Sequence, residues 1–439
     1  MRVARFCYDG YDIRPGSGLL TCRYSLSERQ FSEQFRLSPD GAWNTPAAAD
    51  AARLVFLLAG VSYYKTAAPP VIDLGDTAVT DLEREFLGRF YRDGLGEFAY
   101  RNGLDLSGIR IEGPQRRAPA RGTDSPAAPA RPLIPFGGGI DSIVTVETVR
   151  RDHPDSALFI MNRPGSRFDA IERPAAVTGL PVVRAERQID SQLSQDARQP
   201  VPQFRNGHVP VTGILSGVAV LAAVLDGRDA VVMSNEWSAS RPTIEVGGRG
   251  INHQYSKSAA FEADFRAVLG QALGTGLNYF SALRPRTELW VADRFARLTQ
   301  YHDSFHSCNR AFYLDPAKRL DHWCGECDKC CFIDLILAPF MPSRELRGIF
   351  GGSEPLDNLE LTGRFQSLLG LGADTKPFEC VGDIQECQVA TRLAAGRPDR
   401  AGTAMLQVLA KEIEDVPLPQ ARELLAPVGD HFVPAGYAL

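Results

Sequence analysis

This 439-residue chain has no long unbroken apolar run, no excess of positive charge and no apolar core at its N-terminus. The opening Met1-Arg-Val-Ala-Arg-Phe-Cys-Tyr-Asp9 carries nothing like a signal segment, so export is not expected. The best membrane candidate, Val209 to Leu225, is uncharged but is interrupted by Pro210, Thr212, Gly213, Ser216 and Gly217. A span needs about 20 strongly apolar residues. The run is therefore expected to be a buried core helix, in a soluble, cytoplasmic protein without membrane contact. Lys and Arg total 48 against 53 Asp and Glu, a net charge of −5. That balance gives no general attraction for nucleic acid, and no nucleic-acid partner is expected; composition leaves the oligomeric state open. The nine cysteines are odd in number, and four crowd between Cys324 and Cys331. Without a secretory context this points to metal or redox chemistry rather than a disulfide framework.

The most informative stretch runs from Leu133 through Phe136, Gly137, Gly138, Gly139 and Ile140 to Asp141 and Ser142, followed by a helical apolar pattern to Val149. Glycines between a strand and a helix N-terminus let backbone N–H groups converge on an anion. The helix dipole adds partial positive charge at the same point. Asp141 is placed to reach a magnesium ion on phosphates, and Ser142 to donate to a phosphate oxygen. No Lys follows the glycines, so this is not a Walker A loop, and the spacing is not a dinucleotide fingerprint. A glycine-rich turn with no ligand is the simpler alternative.

The rest of the chain divides by pattern. Residues 1–112 read as a small α+β unit, with strands near Leu19–Ser25 and Gln30–Leu37 and helices over Asp50–Leu58 and Asp81–Phe98. Residues 113–132 are rich in Pro and Ala and read as a linker. From 133 to 342, strands at Ala157–Met161, Leu180–Arg184 and Asp229–Ser234 alternate with helical stretches. That alternation predicts an α/β fold with a central parallel sheet. Ligands of such sheets sit at the carboxyl ends of the strands, which places Asn162, Asn235 and Glu236 on the rim with Gly137 to Ser142. Residues 343–439 read as a helical C-terminal region.

Cys324, Cys327 and Cys330 stand at two-residue spacings, with Cys308 upstream. Three sulfurs turned around one ion and a fourth from Cys308 would complete a tetrahedron, for which zinc is preferred and an iron–sulfur cluster is the metal alternative. Cys331, adjacent to a ligand, is expected to point into the core. A redox-active or sulfur-carrying Cys-x-x-Cys is the competing reading.

Two layers of resemblance follow from these motifs. Gly137 to Ser142 resembles the PP-loop, Ser-Gly-Gly-x-Asp-Ser, of ATP pyrophosphatases, with Gly137 in place of the leading Ser. That resemblance implies ATP cleavage between the α and β phosphates and an adenylated substrate. With the distal cysteines and the Arg205–Pro210 segment, the chain is similar to the 7-cyano-7-deazaguanine synthases, which would imply an adenylating ligase or thiolation enzyme of nucleobase or tRNA modification. Phe136–Ser142, Ser234–Ser240, Asn252–Lys257 and Trp323–Cys330 together resemble more of another family, the UDP-N-acetyl-α-D-muramoyl-L-alanyl-L-glutamate epimerases. This implies inversion of the terminal L-Glu of a UDP-muramoyl dipeptide in peptidoglycan precursor synthesis, with ATP and Mg²⁺ used to form an acyl-adenylate. A zinc-stabilised nucleotide-binding module without turnover is the non-enzymatic alternative.

An epimerase needs groups that move a proton. His253, Tyr255 and Lys257 alternate, and in an extended segment all three would share one side. His302 and His306 would lie one helical turn apart, either as a catalytic pair or as support for the cysteine site. Glu236 is a candidate for Mg²⁺ or substrate binding, and Arg241 for pairing with a substrate carboxylate.

Overall fold

In the computed structural model, residues 4–118, 130–194, 204–313, 315–371, 378–379 and 381–438 are described. Most of the proline- and alanine-rich stretch, residues 119–129, lies outside them. Twelve strands are present among the described residues: β1 (Arg5–Arg14), β2 (Leu19–Leu26), β3 (Arg29–Arg36), β4 (Val71–Asp73), β5 (Arg110–Glu112), β6 (Pro132–Pro135), β7 (Ala157–Asn162), β8 (Val182–Gln188), β9 (Ala230–Met233), β10 (Ile244–Val246), β11 (Arg249–Ile251) and β12 (Asn278–Ser281). Ten of them form one sheet in the order β12-β9-β6-β7-β8-β3-β2-β1-β4-β5.

The five strands from β12 to β8 are all parallel. Their chain order runs outward from β6 through β7 to β8, then returns to the other side of β6 for β9 and β12. The direction of winding therefore reverses between β6 and β9, and a doubly wound sheet opens its ligand crevice at that point. Period-two alternation explains why such short strands suffice. Leu133, Ala157, Phe159, Val231 and Met233 join the core on one face, and Ile134, Leu158, Ile160, Ala230, Val232 and Phe280 the core on the other. Buried on both sides, these strands read as continuous apolar runs.

The N-terminal strands are not set apart from this sheet. β3 pairs antiparallel with β8 through Phe35 and Arg187, and the buried Arg187 guanidinium binds Glu33 at 2.5 Å and the Ser62 hydroxyl at 3.0 Å. The expected small N-terminal unit thus shares a sheet and a core with the residues after 132.

The apolar run expected as a core helix is one: Val211–Leu225 packs against the Pro46–Ala59 helix. Its small residues are points of close approach, since a Cβ on Gly217 would meet Leu58 at 2.9 Å and one on Gly213 would meet Phe90 at 2.5 Å. Among the described residues, Pro46–Tyr64 is the helical run long and apolar enough to cross a membrane by length and composition, and 83% of its 18-residue apolar window is buried inside the protein. Its length was not picked out from the sequence. At the other end, helices Ser343–Ile349, Thr362–Leu368, Ile384–Ala395 and Ala404–Glu412 close over the second core through the Asp328–Leu337 helix.

The expected single helix over Asp81–Phe98 is broken at Leu95 into Asp81–Gly94 and Gly96–Arg101. Thr80 begins the first piece with a reciprocal cap to Glu83. The break turns Glu97 toward the central region, which matters for the site.

Candidate active site

β6 ends at Pro135 and runs directly into the glycine turn. Gly138 has φ +76°, and a Cβ there would lie 2.3 Å from the Ala170 carbonyl oxygen. Only glycine fits. Cβ atoms at Gly137 and Gly139 would meet nothing within 4 Å, so the space above the turn is open on the ligand side. Gly139 begins the thirteen-residue Ile140–Asp152 helix without a side-chain cap. Its first N–H groups are thus available to an anion. Ser142, expected to meet phosphate, donates to the Gly139 carbonyl at 3.0 Å.

Across the switch point, β9 ends at Met233 and leads into Ser234, Asn235 and Glu236. The Ser281 hydroxyl ties this end to β12, accepting from the Asn235 N–H and donating to the Asn235 carbonyl, each at 2.6 Å. Arg284, fully buried, anchors the same wall: its guanidinium binds the Glu262 carboxylate, the Glu236 carbonyl, the Ser240 hydroxyl and the Lys257 carbonyl at 2.9, 2.8, 3.3 and 2.6 Å. One buried cation therefore fixes both the Glu236 turn and the turn that ends at Lys257.

The rim carries more carboxyl groups than the sequence suggested. Glu288, at the start of the Glu288–Phe295 helix, is fully buried. Burial first, then the charges of Glu236 and Asp141, hold its carboxyl well above the usual carboxylate range, against the pull of Lys329. Glu386 is pushed up to about 7, by burial before anything else, although it accepts from Ser238 and from the Leu289 N–H. A carboxyl raised in the folded state binds its proton more tightly there than when unfolded, so stability falls as pH climbs from about 4.5 to about 7. Glu386→Gln is expected to remove a share of that decline, of order 3 kcal/mol, in denaturation curves taken across this pH window. Arg241 sits 4.5 Å over the Trp237 ring and 3.8 Å from Asp383.

The Asn252–Lys257 segment corrects one expectation. It is a turn followed by a 3₁₀ turn at Tyr255–Lys257, not an extended strand. The Asn252 side chain accepts from the Gln254 N–H at 2.7 Å, and Ser258 caps the Ala259–Leu273 helix; these local bonds compete successfully with extension. His253, Tyr255 and Lys257 consequently part company. Tyr255 is buried edge-on against Phe261, burial raising its hydroxyl pKa. The Lys257 ammonium bonds Gln254 at 3.0 Å. His253 turns to the Gly96–Arg101 helix, where its Nδ1 lies 2.5 Å from Glu97 Oε2.

A second imidazole joins them. His208 Nδ1 is 3.8 Å from the same Glu97 oxygen, and the two rings are 4.3 Å apart. The other Glu97 oxygen accepts from Arg101 at 2.7 Å, and the Arg101 guanidinium stacks 4.8 Å over Phe378. Beside this cluster, between the broken helix pair and the β10–β11 hairpin, lies a cavity of about 460 Å³ whose lining includes Arg92, Tyr100, Leu106, Arg249, Asn252 and Tyr255.

The cysteines converge as expected. Cys308–Cys327, Cys324–Cys330 and Cys327–Cys330 sulfurs are 3.9, 3.6 and 3.5 Å apart, and all four ligand atoms lie within 4.8 Å of one another. A tetrahedron with metal–sulfur bonds of about 2.3 Å has edges of about 3.8 Å. The N–H groups of Glu326 and Cys327 point at Cys324 Sγ, at 3.5 and 3.4 Å, as suits a thiolate. The set can hold a structural metal such as zinc. Cys331 is buried in the core.

His302 and His306 do not share a helix. A 3₁₀ turn at Thr299–Tyr301 gives way to irregular chain, so the expected one-turn spacing is absent. His302 packs on Phe295, with rings 5.5 Å apart, and His306 lies edge-on 5.1 Å from Trp323, the residue preceding Cys324.

A turn that only glycine can make, at the point where the winding of the sheet reverses, and a convergent four-cysteine set define a doubly wound α/β protein able to hold a structural metal. Comparison with known proteins gives the family. The models described as MurL N-terminal domain and MurL C-terminal domain match residues 1–282 and 304–424. The chain is 38% identical to the UDP-N-acetyl-alpha-D-muramoyl-L-alanyl-L-glutamate epimerase of Xanthomonas oryzae pv. oryzae, over 90% of this chain and 86% of that one. It is 37% identical to the epimerase of the same name from Salinispora tropica, over 100% and 95% of the two chains. With that from Micromonospora sp. it shares 36% identity, over 100% and 97%. The chain belongs to the MurL family of epimerases, and is thus an isomerase.

Sequence reasoning missed Glu97, His208, Glu288, Lys329 and Glu386. His208 lies in the Arg205–Pro210 segment that resembled another family. Glu97, inside an ordinary amphipathic pattern, had no local signal.

Proposed function

We propose that the chain inverts the terminal L-Glu of UDP-N-acetylmuramoyl-L-alanyl-L-glutamate to D-Glu in the cytoplasm, activating it as an acyl-adenylate at the expense of ATP. The observation that carries the mechanism is the Gly137–Gly139 turn at the β6–β9 switch point, open above its backbone and closed by Ala170 below. A PP-loop reading of this turn lets the helix N–H groups hold the pyrophosphate, with Gly137 leaving the room that the pattern's serine would fill.

The chemistry requires activation. A free carboxylate resists loss of its own α-proton, because a second negative charge would form beside the first. Attack of the carboxylate on the ATP α-phosphorus releases pyrophosphate and leaves a mixed anhydride, whose carbonyl delocalises the carbanion as an enolate. Reprotonation on the opposite face and hydrolysis then give the D-product and AMP. Asp141 and Glu236, whose charges act on the Glu288 carboxyl, put negative charge by the turn that suits Mg²⁺, which would screen the leaving pyrophosphate when bound. The cavity beside Asn252 and Tyr255 is of a size to seat a sugar-nucleotide end. Zinc on Cys308, Cys324, Cys327 and Cys330 would tie the loop before the Asp328–Leu337 helix. A convergent four-sulfur set favours this over a mobile sulfur carrier.

Isotope exchange between labelled pyrophosphate and ATP tests the adenylation step. Exchange that requires the L,L-dipeptide substrate and Mg²⁺ is expected. Release of ADP and orthophosphate would contradict the reading.

A further inference from the structure

We propose that Glu97, His208 and His253 form a second metal site, which takes a divalent transition-metal ion of the zinc class. The site is separate from the four cysteines and does not depend on the adenylation reading.

Its three side chains come from distant parts of the chain. Glu97 is the second residue of the Gly96–Arg101 helix, His208 lies just before the Val211–Leu225 helix, and His253 sits in the turn before Tyr255–Lys257. Their ligand atoms nevertheless all lie within 4.8 Å of one another, with Glu97 buried and both rings partly buried. The ring centroids are 4.3 Å apart and the planes are tilted by 44°.

The distances discriminate between an ion site and a plain hydrogen-bonded cluster. His253 Nδ1, at 2.5 Å from Glu97 Oε2, is within hydrogen-bond reach of it. His208 Nδ1, at 3.8 Å from the same oxygen, is not. Pairing with Glu97 therefore accounts for one ring only. An ion shared by all three groups accounts for both. Bonds of about 2.0–2.1 Å in a tetrahedron set the ligand atoms about 3.3 Å apart, a value between the two distances to Glu97. On filling, the shorter contact opens and the longer one closes.

The donor set decides the class of ion. Two imidazole nitrogens and one carboxylate oxygen suit zinc and its first-row neighbours, whereas Mg²⁺ and Ca²⁺ call for oxygen ligands. Ligation through Nδ1 leaves Nε2 of each ring to its own hydrogen bond, as metal-bound imidazoles commonly have. The carboxylate is supported in the same way. The other Glu97 oxygen accepts from Arg101 at 2.7 Å, and the Arg101 guanidinium lies 4.8 Å over the Phe378 ring. Lys65 holds the loop before His208 through the Asn206 side chain and the Gly207 carbonyl, at 3.0 and 2.7 Å. Three protein ligands leave a fourth position for an oxygen ligand.

Gly96 and Asn252, the neighbours in sequence of Glu97 and His253, both line the cavity of about 460 Å³. An ion at this site would therefore tie together two walls of that cavity, one from the broken helix pair and one from the Asn252–Lys257 turn.

Calorimetric titration with Zn²⁺ tests the site in the full-length protein. The protein is first washed with a mild chelator, its remaining metal is measured, and Mg²⁺ is kept in excess throughout. About one equivalent beyond the cysteine metal is expected to bind, and the melting temperature should rise as Zn²⁺ is added. His208→Asn and Glu97→Gln should each weaken this binding by at least about 100-fold, since even changes behind a ligand cost about 10–100-fold. Both should also lose the zinc-dependent rise in melting temperature. Arg101→Gln should weaken binding by about 10-fold. The stoichiometry of the parent needs no variant, so a substitution that folds poorly leaves the test intact. A parent that binds no zinc beyond its cysteine metal would overturn the proposal. So would a further equivalent that His208→Asn and Glu97→Gln both retain with the parent's affinity.

Discussion

Gly138→Ala should reduce turnover by about 100-fold or more, the effect of displacing a positioned reacting group by about 1 Å. The Cβ would sit 2.3 Å from the Ala170 carbonyl oxygen, a backbone atom that cannot swing aside, at a φ of +76° that L-residues rarely adopt. Either the turn or the start of the Asp169–Thr178 helix must move, and the N–H groups of the turn move with it. Gly137→Ser is the matched control. A Cβ at position 137 meets nothing within 4 Å, so that variant should keep most of its activity, and it restores the hydroxyl of the PP-loop pattern. Pyrophosphate–ATP exchange measured on both variants, beside their melting temperatures, checks the pair. Equal losses in the two would show that the turn does not hold the nucleotide.

Cys327→Ser is expected to release the metal from the four-cysteine site and to destabilise the chain by about 3 kcal/mol or more, since structural zinc contributes about 10–16 kcal/mol of binding free energy in small domains. Cys327 has its sulfur 3.9 Å from that of Cys308 and 3.5 Å from that of Cys330. It also begins the Asp328–Leu337 helix, which carries the second core. Elemental analysis should find about one zinc per chain in the parent and none at this site in the variant. Cys331→Ser, at a buried position beside a ligand, should keep the metal. An active parent protein with no bound metal would contradict the assignment.

The parts of the site that lie close together in sequence were legible before the fold. The glycine turn, the Cys324–Cys330 spacing and the apolar helix from Val211 each carry their geometry in consecutive residues. Cys308 was also found, because cysteine is scarce enough for a distant partner to stand out. Glu97 could not be found that way. It lies one position after a helix break at Leu95 and Gly96, and its partners are over a hundred residues later. The Asn252–Lys257 segment misled because its alternation is a property of the letters. An Asn side chain bonding two residues ahead turned it into a bend that sent His253 one way and Tyr255 another. The N-terminal strands likewise read as their own unit, because an antiparallel join such as β3 to β8 leaves no mark in either strand. Only Arg187, a cation buried in a strand, hints that something must lie opposite, and its partner Glu33 is 154 residues away.

Incubation with ATP, Mg²⁺ and UDP-N-acetylmuramoyl-L-alanyl-L-glutamate in D₂O is the most direct test of the central claim. The account predicts deuterium at the glutamate α-carbon of a D-configured product, formed with AMP and pyrophosphate. Inversion without deuterium, or deuterium incorporation with no AMP, would contradict it.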